Sequence, residues 1–183
     1  MDPTIVARAQ RGDEEAFADL IDAVGGRLHA VAHRILRDTD LAEDATQQAL
    51  LDIWRDLPSL RDPARFDAWS YRLLVRACYA EGRKTRHWSP NMRLLSSDRE
   101  PIQADGTSAV VDRDQLERGF QRLSIEHRSV VVLHHYLDMP LDRIAETLDI
   151  PIGTVRSRLH HAMRGLRAAL DADARPAVRE VAK

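Results

Sequence analysis

Cysteine occurs once in the 183 residues, at Cys78. That excludes an intrachain disulfide and a cysteine-built zinc site. Lysine is nearly as scarce, at Lys84 and Lys183 alone, so arginine carries almost all the positive charge. A genomic base-composition bias explains that preference. No apolar run approaches the ~20 residues that span a bilayer. The first ten residues lack the apolar stretch of a secretory leader. A cytoplasmic location without membrane insertion is therefore expected. Positive charge is not in excess either: 27 Lys and Arg face 29 Asp and Glu, a formal net charge of -2. That argues against indiscriminate nucleic-acid binding, so any such contact has to come from local patches. There is no Gly-rich phosphate loop, nucleophile elbow or acid–base pair. The histidines offer no metal site. His134-His135 and His160-His161 are neighbours that a helix should point apart. His29 and His33 lack a third ligand. The chain reads as a non-enzyme with no cofactor.

What is present is helical periodicity. Asp13 precedes Phe17, Leu20, Ile21 and Val24 at a 3.6-residue period. Gly25-Gly26 should weaken that helix before Leu28, Val31, Ala32, Ile35 and Leu36 resume the stripe. Asp38-Thr39-Asp40 reads as a turn, and Asp40 with Glu43 as a capping box opening a helix from Leu41 to Leu57. A loop from Pro58 to Arg65 leads into a helix from Phe66 to about Arg86, with Phe66, Trp69, Leu73 and Ala77 on its apolar face. From His87 to Asp114 the pattern disappears into Ser, Asp, Pro and Gly, as in a linker. Helical signals resume at Gln115. Val130-Val131-Val132-Leu133 suits a strand by propensity, but its helical neighbours and the lack of a partner strand make it a buried helix.

The C-terminal part carries the sharpest pattern. Leu141, Ile144, Ala145 and Leu148 mark one face of a short helix, and Asp149-Ile150 makes a turn. Pro151 suits the first position of a second helix. Ile152, Val155, Leu159, Ala162, Leu166 and Leu170 form that helix's buried stripe. Two short amphipathic helices about a tight turn describe a helix-turn-helix. The second helix turns Arg156, Ser157, His160 and Arg164 outward and has no acidic residue between Pro151 and Leu170. Arginine there suits phosphate or the guanine edge in the major groove.

The segment Gly153-Thr154-Val155-Arg156-Ser157-Arg158-Leu159 resembles the GTVxSRL signature of sigma factor region 4. Ile144-Ala145-Glu146-Thr147-Leu148 resembles the helix before it. Ala42-Glu43-Asp44-Ala45-Thr46-Gln47-Gln48-Ala49-Leu50 and Phe66-Asp67-Ala68-Trp69-Ser70-Tyr71-Arg72-Leu73 are similar to two stretches of region 2. Together they resemble the extracytoplasmic-function (ECF) class of the sigma-70 family, which joins regions 2 and 4 by a linker. The chain departs from the family pattern at Gln48, usually acidic, at Ser70, usually leucine, and at Arg76 and Ala80, where Asn and Asp are common. Leu123-Ser124-Ile125-Glu126 lacks a frequent proline.

The resemblance implies an all-α fold of two small helical domains. Residues 1–87 would be the region 2-like domain, 88–114 the linker, 115–172 the region 4-like domain and 173–183 a tail. The implied function is a sigma factor that binds core RNA polymerase, recognises the -10 and -35 promoter elements and supports DNA melting. Asp44, Gln47, Gln48, Leu51 and Trp54 would meet the clamp helices of the largest polymerase subunit. The flap of the second-largest subunit and an anti-sigma factor are further candidate partners. Single-stranded -10 DNA needs cations for its backbone and flat surfaces for its bases. The candidates are Arg61, Asp62, Arg65, Tyr71, Arg72, Arg76, Arg83, Lys84 and Arg86, with Trp88 beside them. Thr154, Arg156, Ser157, Arg158, His160, His161 and Arg164 would contact the -35 element. A linker of about 25 residues at about 3.3 Å each reaches ~80 Å, and two duplex turns span only ~70 Å. The competing reading, a stand-alone helix-turn-helix regulator, leaves the Leu41–Leu57 helix without a purpose.

Overall fold

A computed structural model describes residues 1–88 and 116–174. The expected linker and tail lie almost wholly outside the described residues, as do the side chains of residues 85–88 and 171–174. Every regular element described is helical: α1 (Pro3–Gln10), α2 (Glu14–Leu36), α3 (Thr39–Asp56), α4 (Phe66–Trp88), α5 (residues 116–121), α6 (Ile125–Val131), α7 (Leu141–Leu148) and α8 (Ile152–Ala174). Two 3-10 turns, Leu57–Ser59 and Pro63–Arg65, shape the α3–α4 connection. The stretch Val130–Leu133 is helical, as its neighbours suggest. It ends in a π-helical turn over Val132–Tyr136, closed by Leu137 N–H donating to the Val132 carbonyl at 3.2 Å.

Short polar side chains start these helices. Asp2, Asp13 and Ser124 accept from the backbone N–H of Thr4, Ala16 and His127. Each such cap is worth about 1 kcal/mol. The α3 cap corrects the sequence reading. Asp38, not Asp40, accepts from Leu41 N–H at 3.0 Å, and the helix begins at Thr39. Gly25-Gly26 does not interrupt α2, which runs unbroken for 23 residues. Packing of Leu20, Val24, Leu28 and Val31, all at most 1% exposed, outweighs the ~1 kcal/mol that each helical glycine costs. Pro151 stands one place before α8 rather than in its first position. Ile152 is 38% exposed instead of buried. The His134 and His135 rings do not diverge; their centroids are 4.7 Å apart, edge to face.

Helices α1 to α4 form one bundle, in which α3 packs against both α2 and α4. Phe66, Leu20, Leu28, Ile35, Ile53, Leu57 and Leu74 are among its fully buried side chains. Helices α6 to α8 form the second group, with Leu133, Ile144 and Val155 at its centre. The two groups touch. α2 and α4 both pack on α6, α4 also packs on α7, and the buried apolar residues of both groups form one continuous cluster.

At that seam Gly82 of α4 lies so close to α6 that a Cβ there would overlap Ile125 Cδ1, with Ile125 Cγ1 3.6 Å away. Arg128 donates from Nη1 to the Leu36 carbonyl at 3.2 Å. Arg37 of α2 pairs with Glu117 of α5.

Candidate polymerase and nucleic-acid interfaces

The inward side of α3 is Ala42, Ala45, Thr46, Ala49 and Ile53. The helical period therefore turns Asp44, Gln47, Gln48, Leu51 and Trp54 outward, and all five are exposed. Leu51 is 58% exposed and Trp54 66%, unusually high for residues of their size. Acidic and amide groups surround them. Gln48 donates to Asp52 at 3.0 Å, and Arg55 bridges Asp52 and Asp56. An aromatic and a leucine inside a polar rim have the make-up of a protein-binding patch. The fold buries Ile53 and Leu57 and leaves Trp54 outside.

The loop before α4 is anchored from α1, where Gln10 Nε2 donates to the Leu57 and Leu60 carbonyls at 3.0 and 2.6 Å. Arg61 is held out on this loop and is exposed. Asp62 is spent on structure: it caps the second 3-10 turn through Ala64 N–H at 3.0 Å. Arg72, Arg76 and Arg83 follow at i, i+4 and i+11, along one stripe of α4. Arg76 and Arg83 are exposed, while Arg72 is partly buried. Lys84 is exposed and bonded to Glu81 at 2.7 Å. Arg86 lies on the last turn of α4, beyond the described side chains.

Tyr71 is a correction. It was expected to face DNA, yet it is 7% exposed, and burial raises its hydroxyl pKa. The face of α4 that carries it looks toward the second helical group. Trp69 is half-buried, its ring 6.0 Å from that of Phe66.

On α8, Val155 and Ala162 point inward and are fully buried. Arg156, Ser157, His160, His161 and Arg164 are exposed on the other sides, and Thr154 and Arg158 are half-buried. Arg164 and His161 are in contact, Nη2 to Nδ1, at 3.2 Å. His161 also stacks toward His127 of α6, with 6.4 Å between centroids. Burial, then the neighbouring His161 and Arg158, hold the His127 pKa below the ordinary histidine range. Leu141, Leu159 and Met163 floor a groove of about 510 Å³ edged by Arg156, Arg164 and Arg167. An apolar floor with arginine walls can take both the methyl and phosphate surfaces of duplex DNA.

Comparison with known proteins bears on both halves. The sequence profile "Sigma-70 region 2" matches residues 7–87, and "Sigma-70, region 4" matches residues 113–166. The ECF RNA polymerase sigma factor SigL of Mycobacterium tuberculosis (strain H37Rv) is 30% identical over 168 residues, covering 90% of this chain and 94% of its own. The chain belongs to the ECF class of the sigma-70 family. The ECF sigma factor SigW of Bacillus subtilis (strain 168) is 27% identical, over 90% of this chain and 94% of its own. Two solved structures share the fold. CnrH in complex with the cytosolic domain of CnrY superposes with a TM-score of 0.68 at 23% identity, over 94% of this chain and 98% of that one. The sigma factor RpoE from Bartonella quintana, in complex with the anti-sigma factor NepR, superposes with a TM-score of 0.60 at 22% identity, over 86% and 98%.

As an ECF sigma factor the chain binds core RNA polymerase and promoter DNA. The structure gives each candidate residue of this sigma factor a different degree of freedom. The α3 patch and the exposed face of α8 are open to solvent. On the α4 side two arginines are engaged within the chain. Arg72 reaches Asp149 at 2.7 Å, and Arg65 reaches Glu146 at 3.4 Å. The sequence could not show either pairing, because the partners are about eighty residues apart in the chain. No helix among the described residues is long and apolar enough to cross a membrane.

Proposed function

We propose that this sigma factor docks on polymerase through the Asp44–Trp54 face of α3. On this reading it holds the melted -10 strand with the arginines of the Arg61–Arg65 loop and of α4, and reads the -35 element with α8. Residues 1–87 then form the polymerase and -10 unit and residues 115–172 the -35 unit. The observation that carries this is the exposed Trp54 and Leu51 pair inside its acidic and amide rim. A stand-alone DNA-binding regulator has no use for such a patch. The flap of the second-largest polymerase subunit is a second contact for the C-terminal unit. An anti-sigma factor is a further partner, supported by the complexes that the two similar solved structures contain. The chain performs no chemistry; the polymerase does, and the two meet in the cytoplasm.

On α8 the roles divide. Arg156 and His160 are four apart on one exposed face, away from the buried Val155. That face reads base edges, with Ser157 beside it. Arg158, half-buried, and Arg164, tied to His161, serve phosphates or packing. Transcription from a promoter library randomised in the -35 element tests this. Arg156→Ala is expected to change base preference, at ~1–3 kcal/mol for a good bidentate contact. Arg164→Ala is expected to weaken all sequences alike and lower the salt slope by about one. A uniform loss for both variants would remove Arg156 from the reading face.

A further inference from the structure

Apart from the surfaces assigned above lies a cavity of about 330 Å³. That volume falls among sites that hold small molecules, which are mostly apolar with a few placed polar groups. Val131 and Val132, both buried, supply apolar lining. Phe120 of α5 and Tyr136 of the π-helical turn bring two aromatic rings, and Arg34 and Arg37, at the end of α2, bring two cations. Among the described residues Glu117 alone brings a carboxylate, so positive charge is in excess there. The parts are held in place. The Arg34 guanidinium lies over the Tyr136 ring, and that of Arg37 is 5.9 Å from the Phe120 centroid. The π-helical turn that presents Tyr136 is a departure from α geometry that recurs at functional sites. Arg37 is left short of acceptors. Its side chain is only 20% exposed and pairs with Glu117 through Nη2. Its Nε is buried and finds no partner among the described residues. Burial, then the charge of Arg34, pulls its pKa below the ordinary arginine value. Nε and Nη2 share one edge of the guanidinium, which the two oxygens of a carboxylate can span. Glu117 leaves the Nε end of that edge unmet.

We propose that this cavity binds a small aromatic carboxylate, its ring against Phe120 and Tyr136 and its carboxylate on Nε and Nη2 of Arg37 in place of Glu117. A purely apolar ligand would leave the Arg37 edge unmet. A bare inorganic anion would leave the valines and the rings in water. An aromatic acid satisfies both at once. The site needs neither polymerase nor DNA, so the chain itself becomes a receptor for a small effector.

The test titrates the full chain with cinnamate and with its neutral counterpart cinnamamide, by isothermal titration calorimetry. Cinnamate is expected to bind saturably and to raise the melting temperature, as a ligand of the folded state does. The amide is expected to bind at least about tenfold more weakly, the difference for a lost charge-assisted pair. Arg37→Gln removes the cation and is expected to weaken cinnamate binding by at least about tenfold as well. Glu117→Gln frees the guanidinium edge and is expected to tighten it about threefold. Arg122→Gln, at an exposed arginine outside the cavity lining, is expected to leave binding as it is. Circular dichroism checks that each variant keeps its helices. Should Arg37→Gln fail to fold, the amide and Glu117→Gln still decide. No saturable binding of cinnamate, equal affinity for acid and amide, or weaker binding by Glu117→Gln overturns the site. The same loss in Arg122→Gln as in Arg37→Gln also overturns it, since that would mean attraction by charge anywhere on the surface.

Discussion

The guanidinium carbon of Arg34 sits 3.7 Å from the ring centroid of Tyr136, stacking the last turn of α2 on the π-helical turn that follows α6. Arg34 is steadied there by its own Nη1 donating to the Ala30 carbonyl at 2.9 Å. A cation over an aromatic face is worth ~0.5–1 kcal/mol at an exposed site. Tyr136→Leu is therefore expected to lower unfolding stability by about that amount, and Tyr136→Phe to leave it unchanged. Urea titrations of the two variants decide the point, because the phenylalanine keeps the ring and loses only the hydroxyl. An equal loss in both variants would assign the effect to the hydroxyl instead.

Neighbouring residues on α3 should fail in different assays. Trp54 is 66% exposed and Ile53 is 0% exposed. Trp54→Ala is expected to cost ~2 kcal/mol or more of polymerase affinity, as interface anchors do, with little change in melting temperature. Ile53→Ala is expected to lose about 2–5 kcal/mol of stability by leaving a cavity. Core polymerase pull-down and thermal melting, run on both, separate the roles. Undiminished polymerase binding by Trp54→Ala would take the patch out of the interface.

The start of α3 offers a comparison within three residues. Asp38 accepts from Leu41 N–H at 3.0 Å, and Asp40 lies inside the first turn. Asp38→Ala is expected to cost about 1 kcal/mol, in line with other lost caps. Asp40→Ala gives up only a favourable charge near the helix start, ~0.3–1 kcal/mol at most at low salt, and less as salt rises. Denaturant midpoints at low and high salt measure both. A larger loss for Asp40→Ala than for Asp38→Ala would restore the capping box read from sequence.

Acid should loosen the C-terminal helices. Burial, then His161 and Arg158, depress the His127 pKa, with Glu126 opposing. A histidine whose folded pKa lies below its unfolded value of about 6.5 stabilises above that pH, and the contribution is lost as pH falls through the folded value. His33 is shifted the same way, chiefly by burial. Melting temperature is thus expected to drop from pH 7.5 toward pH 5. His127→Gln should flatten part of the drop, and His33→Gln with His127→Gln should flatten more. Identical pH profiles for the parent and the double variant would show that other groups govern the acid limb.

Much of this fold is local, and that part was legible in the chain. The start of α2 is written in Asp13, whereas the caps Asp2 and Ser124 emerged only with the fold. Helix faces are written in spacings of three and four. The helix-turn-helix is written in Leu141 to Leu170, because its turn, its small Ala145 and its basic face lie within thirty residues. The same locality let the sequence place Arg156 and His160 on the outward side of α8, where both are exposed. What it misjudged depended on distant neighbours. Gly25-Gly26 looked like a break until the packing around α2 held it straight. Ile152 looked buried because it is apolar, and Tyr71 looked exposed because its turn of α4 also carries arginines. Helix ends at Arg37 and Asp138 were hard to see, since each takes a positive φ without glycine; Asp149 does the same, but its turn was read.

Only the tertiary structure decided which apolar residues of α3 go inside, since an amphipathic helix has more apolar positions than its bundle can cover. Only the tertiary structure brought Gly82 to Ile125 and Arg72 to Asp149. A sequence records what each helix can offer on each face. Which faces meet depends on the summed burial of many side chains far apart in the chain, and no short stretch of residues contains that sum.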